Sequence, residues 1–225
     1  MKLVHGDLSG EIVNEQKECV EWIIESPELF SKYVGELYKQ ANKDEGEFVL
    51  SENNKEIDIA KYSEIVINPL SVEINNRKIL NKLYEELHKL SSNEVLYMKT
   101  LELTKLIQEY LLDLEQETNY ILEFNNEVEM NALFKAVDLK CEDSGEDFFE
   151  RLVKYIKVLV DLLSVKLVVF INARCFLNDE RIRRLCEEIK YMEIKGLFIE
   201  NSEKTCVEGM ERYIIDNKST STFIY

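Results

Sequence analysis

The sequence predicts an α/β fold, a mostly parallel sheet with flanking helices, into which an α-helical segment is inserted. The run 166–172 holds five consecutive apolar residues, as expected of a strand buried on both faces. Helical patterns over 146–163 and 178–194 flank it, and a second apolar run follows at 196–200. This alternation is typical of stacked β-α-β units. Residues 172–174 then lie where the carboxyl ends of parallel strands face a ligand crevice.

Composition restricts the class of protein. The 225 residues are 45% hydrophobic and 32% charged, which is typical of a globular protein. The net charge of −16 argues against non-specific binding of nucleic acid, unless the 28 lysines and arginines gather on one surface. Such acidity also suits divalent cations held by clustered carboxylates. No apolar run approaches the roughly 18 residues of a membrane span.

The cysteines predict reduced thiols in a cytoplasmic protein. No CxxC spacing occurs, and the amino terminus has no signal-peptide pattern. The histidines, His5 and His88, do not pair with a cysteine, so a zinc site is not expected. The five cysteines are Cys19, Cys141, Cys175, Cys186 and Cys206.

Residues 1–14 predict two short strands joined at a turn that contains Gly6 and Gly10. Backbone amides of glycine turns can bind phosphate, which is the alternative interpretation. No Gly-Lys-Ser/Thr follows, so the phosphate-binding lysine and the magnesium-binding hydroxyl are missing. We therefore predict a hairpin.

Helical patterns follow over 15–24 and 26–39. The second has a clear start signal, because Ser26 can cap it and Pro27 takes the first helical position. Trp22 falls on the apolar face of the first and is interpreted as a core residue. Beyond these helices, short strands are predicted at 48–50, 57–59 and 64–68.

The chain from 75 to 115 is almost entirely helical in pattern, with a break at 91–93. Leucines at three- and four-residue spacing predict an antiparallel helix pair that projects from the α/β body and pairs with another copy. Packing of both helices back onto the body remains the alternative. One seam is Leu80, Leu83, Leu87 and Leu90; the other is Leu103, Leu106, Tyr110 and Leu114, with Ile107 and Leu111 beside it.

After residue 119 the pattern returns to strands and helices. The expected elements are strands at 120–124 and 139–142, a helix over 127–137, and possible short strands at 213–215 and 223–224. The predicted domains are therefore a head made of 1–70 and 118–225, and a helical leg over 71–117.

An acidic cluster surrounds the end of the strand predicted at 120–124. Oxygen ligands from a strand end and the following helix start can hold calcium, which accepts six to eight of them. An acidic helix amino terminus stabilised by the macrodipole is the alternative, and residue chemistry alone favours it. The cluster comprises Glu123, Asn125, Asn126, Glu127 and Glu129.

A cationic cluster lies on the helix predicted over 178–194. Glu187 and Glu188 stand at three- and four-residue spacing from its arginines, which predicts a solvated face of ion pairs. Its members are Arg181, Arg183, Arg184 and Lys190. No Gly-x-Ser-x-Gly elbow or other nucleophile signature is present.

Four segments carry a resemblance to a known family. They are 122–128 (LEFNNEV), 137–142 (VDLKCE), 166–177 (KLVVFINARCFL) and 196–200 (GLFIE). Over essentially its whole length the chain resembles the small accessory adaptation protein of type II-A CRISPR–Cas systems, the Csn family.

The resemblance implies a head similar to P-loop nucleotide hydrolases, with a degenerate nucleotide site, and a helical leg. It implies a calcium-stabilised homotetrameric ring that binds double-stranded DNA ends without base specificity. The ring would act in spacer acquisition beside the CRISPR integrase proteins and the effector nuclease. Calcium ligands carry over to Glu123, Asn125, Asn126 and Glu127. DNA contacts are placed on Lys39, Lys43, Lys55 and Lys61, with Lys135 and Lys140 as further candidates.

The expected function is thus non-catalytic binding of DNA ends. Two alternatives stay open: a metal-dependent nucleotide hydrolase or nuclease that uses the acidic cluster, and an acidic scaffold recognised only by proteins. Because no phosphate-binding lysine serves it, the crevice at 172–174 is expected to be a relic or an interface.

Overall fold

The computed structural model describes residues 1–144, 147–215 and 221–224. The chain divides into two compact units: unit 1 is Met1–Ile74 with Asp143–Tyr225, and unit 2 is Asn75–Glu142. Residues 118–142, which were predicted to belong to the head, fall within unit 2. Among the described helices, none combines the length and apolar character needed to cross a membrane.

The chain begins with β1 (Lys2–His5) and β2 (Cys19–Ile24), then α1 (Pro27–Ala41), β3 (Phe48–Glu52), β4 (Lys55–Ile57), α2 (Ile59–Tyr62) and β5 (Ser63–Val66). Unit 2 contains α3 (Arg77–Ser91), α4 (Tyr97–Gln116) and α5 (Met130–Ala136). The chain continues with α6 (Phe148–Leu163), β6 (Leu167–Ile171), α7 (Asp179–Tyr191), β7 (Lys195–Glu200), β8 (Glu211–Ile215) and β9 (Ser221–Ile224).

The main sheet of unit 1 has the strand order β5-β6-β7-β2-β8-β9. The first five strands run parallel, and β9 pairs antiparallel with β8. Helix α1 packs on one face through Tyr33 and Leu37, where Val20, Trp22 and Leu197 are also buried. Helix α7 packs on the other face. The predicted α/β class with a mostly parallel sheet and flanking helices is confirmed.

The helix predicted over 15–24 is wrong. Its second half is β2, which lies between β7 and β8 in the middle of the sheet and is buried at every position. Helix and strand cannot be distinguished by periodicity when both faces are buried. Glu21 is a charged residue within the apolar run, and so it looked like part of the polar face of a helix, although it is itself buried.

A small antiparallel sheet, β1-β3-β4, lies in the same unit. The strand predicted at 48–50 is confirmed as β3, which forms a hairpin with β4, and the two turn residues, Asn53 and Asn54, have φ of 51° and 58°. Positive φ at both positions is the requirement of a type I′ turn, which asparagine tolerates. The strand predicted at 57–59 is wrong beyond Ile57, because Asp58 caps α2 and Ile59 begins it. In the 1–14 segment β1 is confirmed, but the second predicted strand is reduced to one bridge between Leu3 and Val13.

In unit 2 the predicted helices α3 and α4 are confirmed, with the break near 91–93. Helix α3 packs against α5, where the rings of Tyr84 and Phe134 lie 6.0 Å apart. The strands predicted at 120–124 and 139–142 are wrong, because these segments have no regular structure. Backbone groups of these segments bond to side chains instead of to a neighbouring strand. For example, Tyr84 Oη donates to the carbonyl oxygen of Leu139 at 2.8 Å.

Candidate functional site

The connection between β2 and α1 stands at the carboxyl edge of the sheet, where α/β proteins commonly bind phosphates at a helix amino terminus. Here it consists of Glu25 and Ser26 only, and Pro27 offers no backbone N–H. Ser26 Oγ accepts the N–H of Leu29 at 3.4 Å, and its hydroxyl donates to Glu28 Oε2 at 2.9 Å. The helix end is therefore capped from within and carries an acidic side chain, which disfavours a phosphate.

A buried ion-pair network lies on the other side of the sheet. Arg174 Nη1 donates to Glu21 Oε1 at 2.7 Å, and Arg212 Nε donates to Glu21 Oε2 at 2.8 Å. All three side chains are buried: Arg174 is 2% exposed, Arg212 5% and Glu21 1%. Two partly exposed carboxylates complete the network. Asp179 pairs with Arg174, and Glu203 pairs with Arg212 at 3.1 Å. The residue range 172–174, expected to be a relic or an interface, thus contributes Arg174 to the interior.

Sequence reasoning missed Glu21 and Arg212 as members of this network. The available signal was a charge inside an apolar run, in Cys-Val-Glu-Trp-Ile-Ile and in Glu-Arg-Tyr-Ile-Ile. A charged residue is almost never fully buried unless it is paired, so such a run implies a partner without naming it.

Glu200 ends β7 beside this network and is also buried. Its Oε1 accepts the backbone N–H of Arg174 at 3.0 Å. Loss of hydration in the interior raises the pKa of Glu200 to about 7, and the nearby charge of Glu21 adds to the rise. The hydrogen bond from Arg174 and the charges of Arg174 and Lys204 act in the opposite direction.

The variant Glu200→Gln is expected to stabilise unit 1 at pH 8 but not in mild acid. The carboxyl is protonated in both states below its unfolded pKa of 4.5 and resists ionisation in the fold until about pH 7, so the native protein loses stability across that window. The shift corresponds to about 3 kcal/mol at pH 8. Urea unfolding at pH 5 and pH 8 measures the difference, with the exposed Glu208→Gln as control. A gain that is equal at the two pH values contradicts the assignment.

The predicted calcium ligands lie in the irregular chain between α4 and α5, and all are exposed. Asn125, Asn126 and Glu127 line one depression with His88 and Glu129, whereas Glu123 is not part of its lining. Gln108 of α4 donates to the backbone oxygen of Asn126 and holds this chain against the helix. The donors are carboxylate and amide oxygens, the type that calcium prefers, so the residues fit the ion by chemistry.

Glu129 has another task. Both of its carboxylate oxygens cap α5, accepting the N–H groups of Asn131 at 3.1 Å and Ala132 at 2.6 Å. The alternative interpretation of the cluster, an acidic helix amino terminus, therefore describes Glu129, but it does not describe Asn125, Asn126 or Glu127.

The predicted DNA-contacting lysines are distributed over both units, and all are exposed. In unit 1 they are Lys39 in the last turn of α1, Lys43 in the following turn, Lys55 on β4, and Lys61, whose Nζ lies 4.8 Å from the centre of the Tyr62 ring. In unit 2 they are Lys135 on α5 and Lys140 beyond it.

Carboxylates accompany several of these lysines. Lys140 Nζ donates to Asp138 Oδ2 at 2.7 Å, and this hydrogen bond raises the pKa of Lys140. Lys39 lines a depression together with Glu36, Glu45 and Glu47. Among the residues described, Lys39, Lys43, Lys55 and Lys61 have no carboxylate within ion-pair distance, so none of these four has to leave an ion pair before it binds an external anion.

The cationic cluster on α7 is built differently from the expected row of helix ion pairs. Arg181 pairs with Asp147 at 2.5 Å and lies over the Phe148 ring at 4.8 Å. Arg184 lies over the Phe149 ring at 5.1 Å. Stacking on aromatic faces, rather than pairing with Glu187 and Glu188, positions these two guanidinium groups.

One further group could be taken for a metal site. Ligand atoms of His5, Asp7 and Glu47 lie within 4.8 Å of one another. The backbone N–H of Asp7 donates to His5 Nδ1 at 3.1 Å, so the ring proton of neutral His5 is on Nε2, which faces Glu36 at 3.2 Å. A metal needs a free nitrogen lone pair, and neither ring nitrogen offers one here.

Helix α4 has an unusual surface: none of its 20 residues is buried. Ile107 and Leu111 are half-buried, whereas the residues predicted to face α3 lie outward, with Leu106 and Tyr110 exposed by 62% and 63%. The other large apolar side chains exposed on this helix are Tyr97, Met98, Leu101, Leu103, Leu112 and Leu114. So many exposed apolar side chains on one helix are typical of a protein interface.

Comparison with known proteins gives a consistent result. A family model described as CRISPR-associated protein (Cas_Csn2) matches residues 40–219. A relative from Streptococcus agalactiae named CRISPR-associated protein Csn2 is 25% identical over 199 residues, which cover 86% of this chain and 85% of the relative. A relative of the same name from Enterococcus faecalis is 24% identical over 161 residues, covering 72% of this chain and 64% of the relative.

Proposed function

The chain belongs to the Cas_Csn2 family of CRISPR-associated proteins, and from this premise we propose that it binds the ends of double-stranded DNA, without cleaving them, during acquisition of new CRISPR spacers. Four copies form a ring around the DNA, in the company of the CRISPR integrase proteins and the effector nuclease. The observation that carries the assembly is the exposed apolar surface of α4.

That surface supports self-association for an energetic reason. Each large apolar side chain that leaves water contributes about 1.5–3 kcal/mol, and α4 presents several of them in one unit. A second copy of the chain offers the same surface, so paired helices bury it on both sides, as in a symmetric dimer interface.

A non-catalytic role is supported by the β2–α1 connection. With Pro27 and Glu28 at the helix start, backbone amides and charge are both unsuited to a nucleotide phosphate. On the other side of the sheet, Glu21, Arg174 and Arg212 are buried, and both arginines are paired with Glu21.

Lysines without a carboxylate partner are the best candidates for phosphate contacts. Lys39, Lys43, Lys55 and Lys61 meet that condition and come from one 23-residue stretch of unit 1. Lys135 is exposed on α5, and Lys140 would first have to leave Asp138. Calcium held by Asn125, Asn126 and Glu127, with Glu123, would reduce the local negative charge and order the chain between α4 and α5.

Replacing Lys39, Lys43, Lys55 and Lys61 together by glutamate is expected to weaken binding of linear duplex at least tenfold. Each lost phosphate contact also reduces the slope of log affinity against log salt by about 1, because fewer counterions are released. Fluorescence anisotropy with a short linear duplex at several salt concentrations measures both. The matched control makes the same charge change at Lys17, Lys89, Lys157 and Lys190. Equal losses of affinity in the two variants would contradict the assignment of the first four lysines as phosphate contacts.

End recognition is tested by competition between linear and closed circular duplex, with calcium or a chelator present. We expect a mass of about four chains, retention of the linear form only, and weaker retention in chelator. A single-chain mass with equal retention of both DNA forms overturns the proposal. ATP turnover or DNA cleavage abolished by Glu123→Gln would instead establish a metal-dependent hydrolase.

A further inference from the structure

His5 is a buried side chain that lies between the end of β1, α1 and the segment before β3. Its side chain is 0% exposed, and the rings of Tyr33 and Phe48 pack against it with centres at 5.1 Å and 4.6 Å. Histidine is the side chain whose charge ordinarily changes between about pH 5 and pH 8. A proton gained by this ring would enter the interior of unit 1, so its effect depends on the partners of the two ring nitrogens.

Both ring nitrogens of His5 have partners. Nδ1 accepts the backbone N–H of Asp7 at 3.1 Å, which leaves the proton of the neutral ring on Nε2. Nε2 donates to the carboxylate of Glu36 on α1, whose two oxygens lie at 3.2 Å and 3.3 Å. Glu36 Oε1 also accepts the backbone N–H of Glu47 at 2.6 Å. The neutral ring thus joins the turn after β1 to α1, and Glu36 extends the connection to the segment before β3.

Protonation of His5 keeps one of these contacts and breaks the other. Nε2 donates to Glu36 in both forms of the ring, and a positive charge strengthens that hydrogen bond. Nδ1 gains a hydrogen, however, and a protonated ring nitrogen cannot accept the N–H of Asp7. Two donors would then face each other at 3.1 Å. The protonated ring is therefore incompatible with the present position of the turn.

The turn after β1 is free to move, and it carries an acceptor for the new hydrogen. The N–H of Leu8 donates to the backbone oxygen of His5 at 3.1 Å, and Gly6 and Asp7 between them are exposed. A carboxylate oxygen of Asp7 lies within 4.8 Å of a ring nitrogen of His5. This carboxylate is paired with Lys32 of α1 at 2.5 Å, but both side chains are half-exposed, where an ion pair is weak. A charged ring can compete for it.

The surroundings of His5 supply a counter-charge for the protonated ring. The oxygens of Glu36 and Glu47 lie 3.2 Å and 4.0 Å from Nε2, and opposite charges at such distances favour the charged form of a titratable group. The groups around the ring and its partners are Asp7 from the turn, Lys32, Tyr33 and Glu36 from α1, and Glu47 from the segment before β3. Among these, the lysine alone repels the added charge, and the tyrosine stays neutral because burial raises the pKa of its hydroxyl.

We propose that His5 is a pH-sensitive switch that sets the position of the turn after β1. When the ring is protonated, Nδ1 releases the N–H of Asp7, and the turn shifts until the Asp7 carboxylate accepts the hydrogen on Nδ1 and leaves Lys32. Loss of the proton restores the contacts of the neutral form. Lys32 and Lys39 line the same depression, so the released ammonium group makes that depression more positive.

The test follows the ring and the turn by NMR in the full chain, with isotope-labelled histidine and aspartate, between about pH 8 and pH 5. The chain has two histidines, and the variant His88→Gln, changed at an exposed position of α3, assigns the signal of His5. We expect Nδ1 of His5 to change from an acceptor to a protonated nitrogen as the pH falls. The backbone amide of Asp7 should shift with the same pH midpoint, because its hydrogen bond to the ring is lost.

Asp7→Ala distinguishes this switch from simple titration of a buried ring. The variant keeps the backbone N–H but removes the carboxylate that receives the new hydrogen, so the pH midpoint of His5 should fall by about one unit. The matched control is Glu45→Gln, which removes a charge from the same depression and should lower the midpoint by less than half as much. A ring that stays neutral at pH 5, an Asp7 amide that does not follow the ring, or equal changes in the two variants overturns the proposal.

Discussion

Glu21→Gln is expected to lower the free energy of unfolding of unit 1 by about 3–5 kcal/mol, because it leaves Arg174 and Arg212 buried without the carboxylate they share. The side chain of Glu21 is 1% exposed and bonds both guanidinium groups, at 2.7 Å and 2.8 Å. Glutamine keeps the volume and one acceptor oxygen, but its NH2 group only donates and leaves one guanidinium without an acceptor, so the loss measures the charge together with that hydrogen bond. Urea unfolding followed by fluorescence of Trp22, the single tryptophan and a fully buried one, reports on this unit.

Glu203→Gln is the matched control. Glu203 pairs with the same Arg212, but its side chain is 54% exposed, and a solvated ion pair is expected to contribute less than about 1 kcal/mol. If Glu21→Gln unfolds within 1 kcal/mol of the parent, or if both variants lose the same amount, the buried network does not stabilise the sheet as described.

The double variant Leu106→Glu, Tyr110→Glu is expected to divide the assembly. Both side chains are exposed on α4 in the single chain, so the fold of each copy should be preserved. In the assembly, two carboxylates would enter an apolar interface and cost several kcal/mol per contact, enough for at least a hundredfold loss of association. Light scattering at several protein concentrations should show a mass below four chains, and retention of linear DNA should fall with it.

The control places the same kind of change elsewhere. Ile67→Glu and Tyr191→Glu introduce carboxylates at exposed apolar positions of unit 1. They should keep the mass of the parent. An α4 variant that retains the full mass, or controls that lose it equally, would show that α4 is not the surface that joins the copies.

Much of unit 1 was predictable from local sequence. The strands β5, β6 and β7 are short runs of branched and aromatic residues between helical patterns, and α1 has a serine cap followed by proline. These signals depend on neighbours within a few residues, so no knowledge of the remaining chain is needed. The same holds for the break between α3 and α4.

The candidate sites were harder to predict from the sequence. Asn125, Asn126 and Glu127 do line one depression, but the strand that was to position them does not form, and Glu123 is not part of that lining. Hydrogen bonds from Gln108 and to Glu115 hold this chain, and both partners belong to a helix rather than to a sheet.

The sequence by itself determined the α/β class, the order of most elements and the helical pattern of α3 and α4. These follow from the periodic spacing of apolar residues, which is a local property of the chain. Tertiary structure alone decided that 19–24 is the strand in the middle of the sheet. The charge of Glu21 is tolerated there only because Arg174 and Arg212 reach it from 153 and 191 residues away. It also decided that Leu106 and Tyr110 face outward, since helical spacing defines a face but not the surface that will cover it.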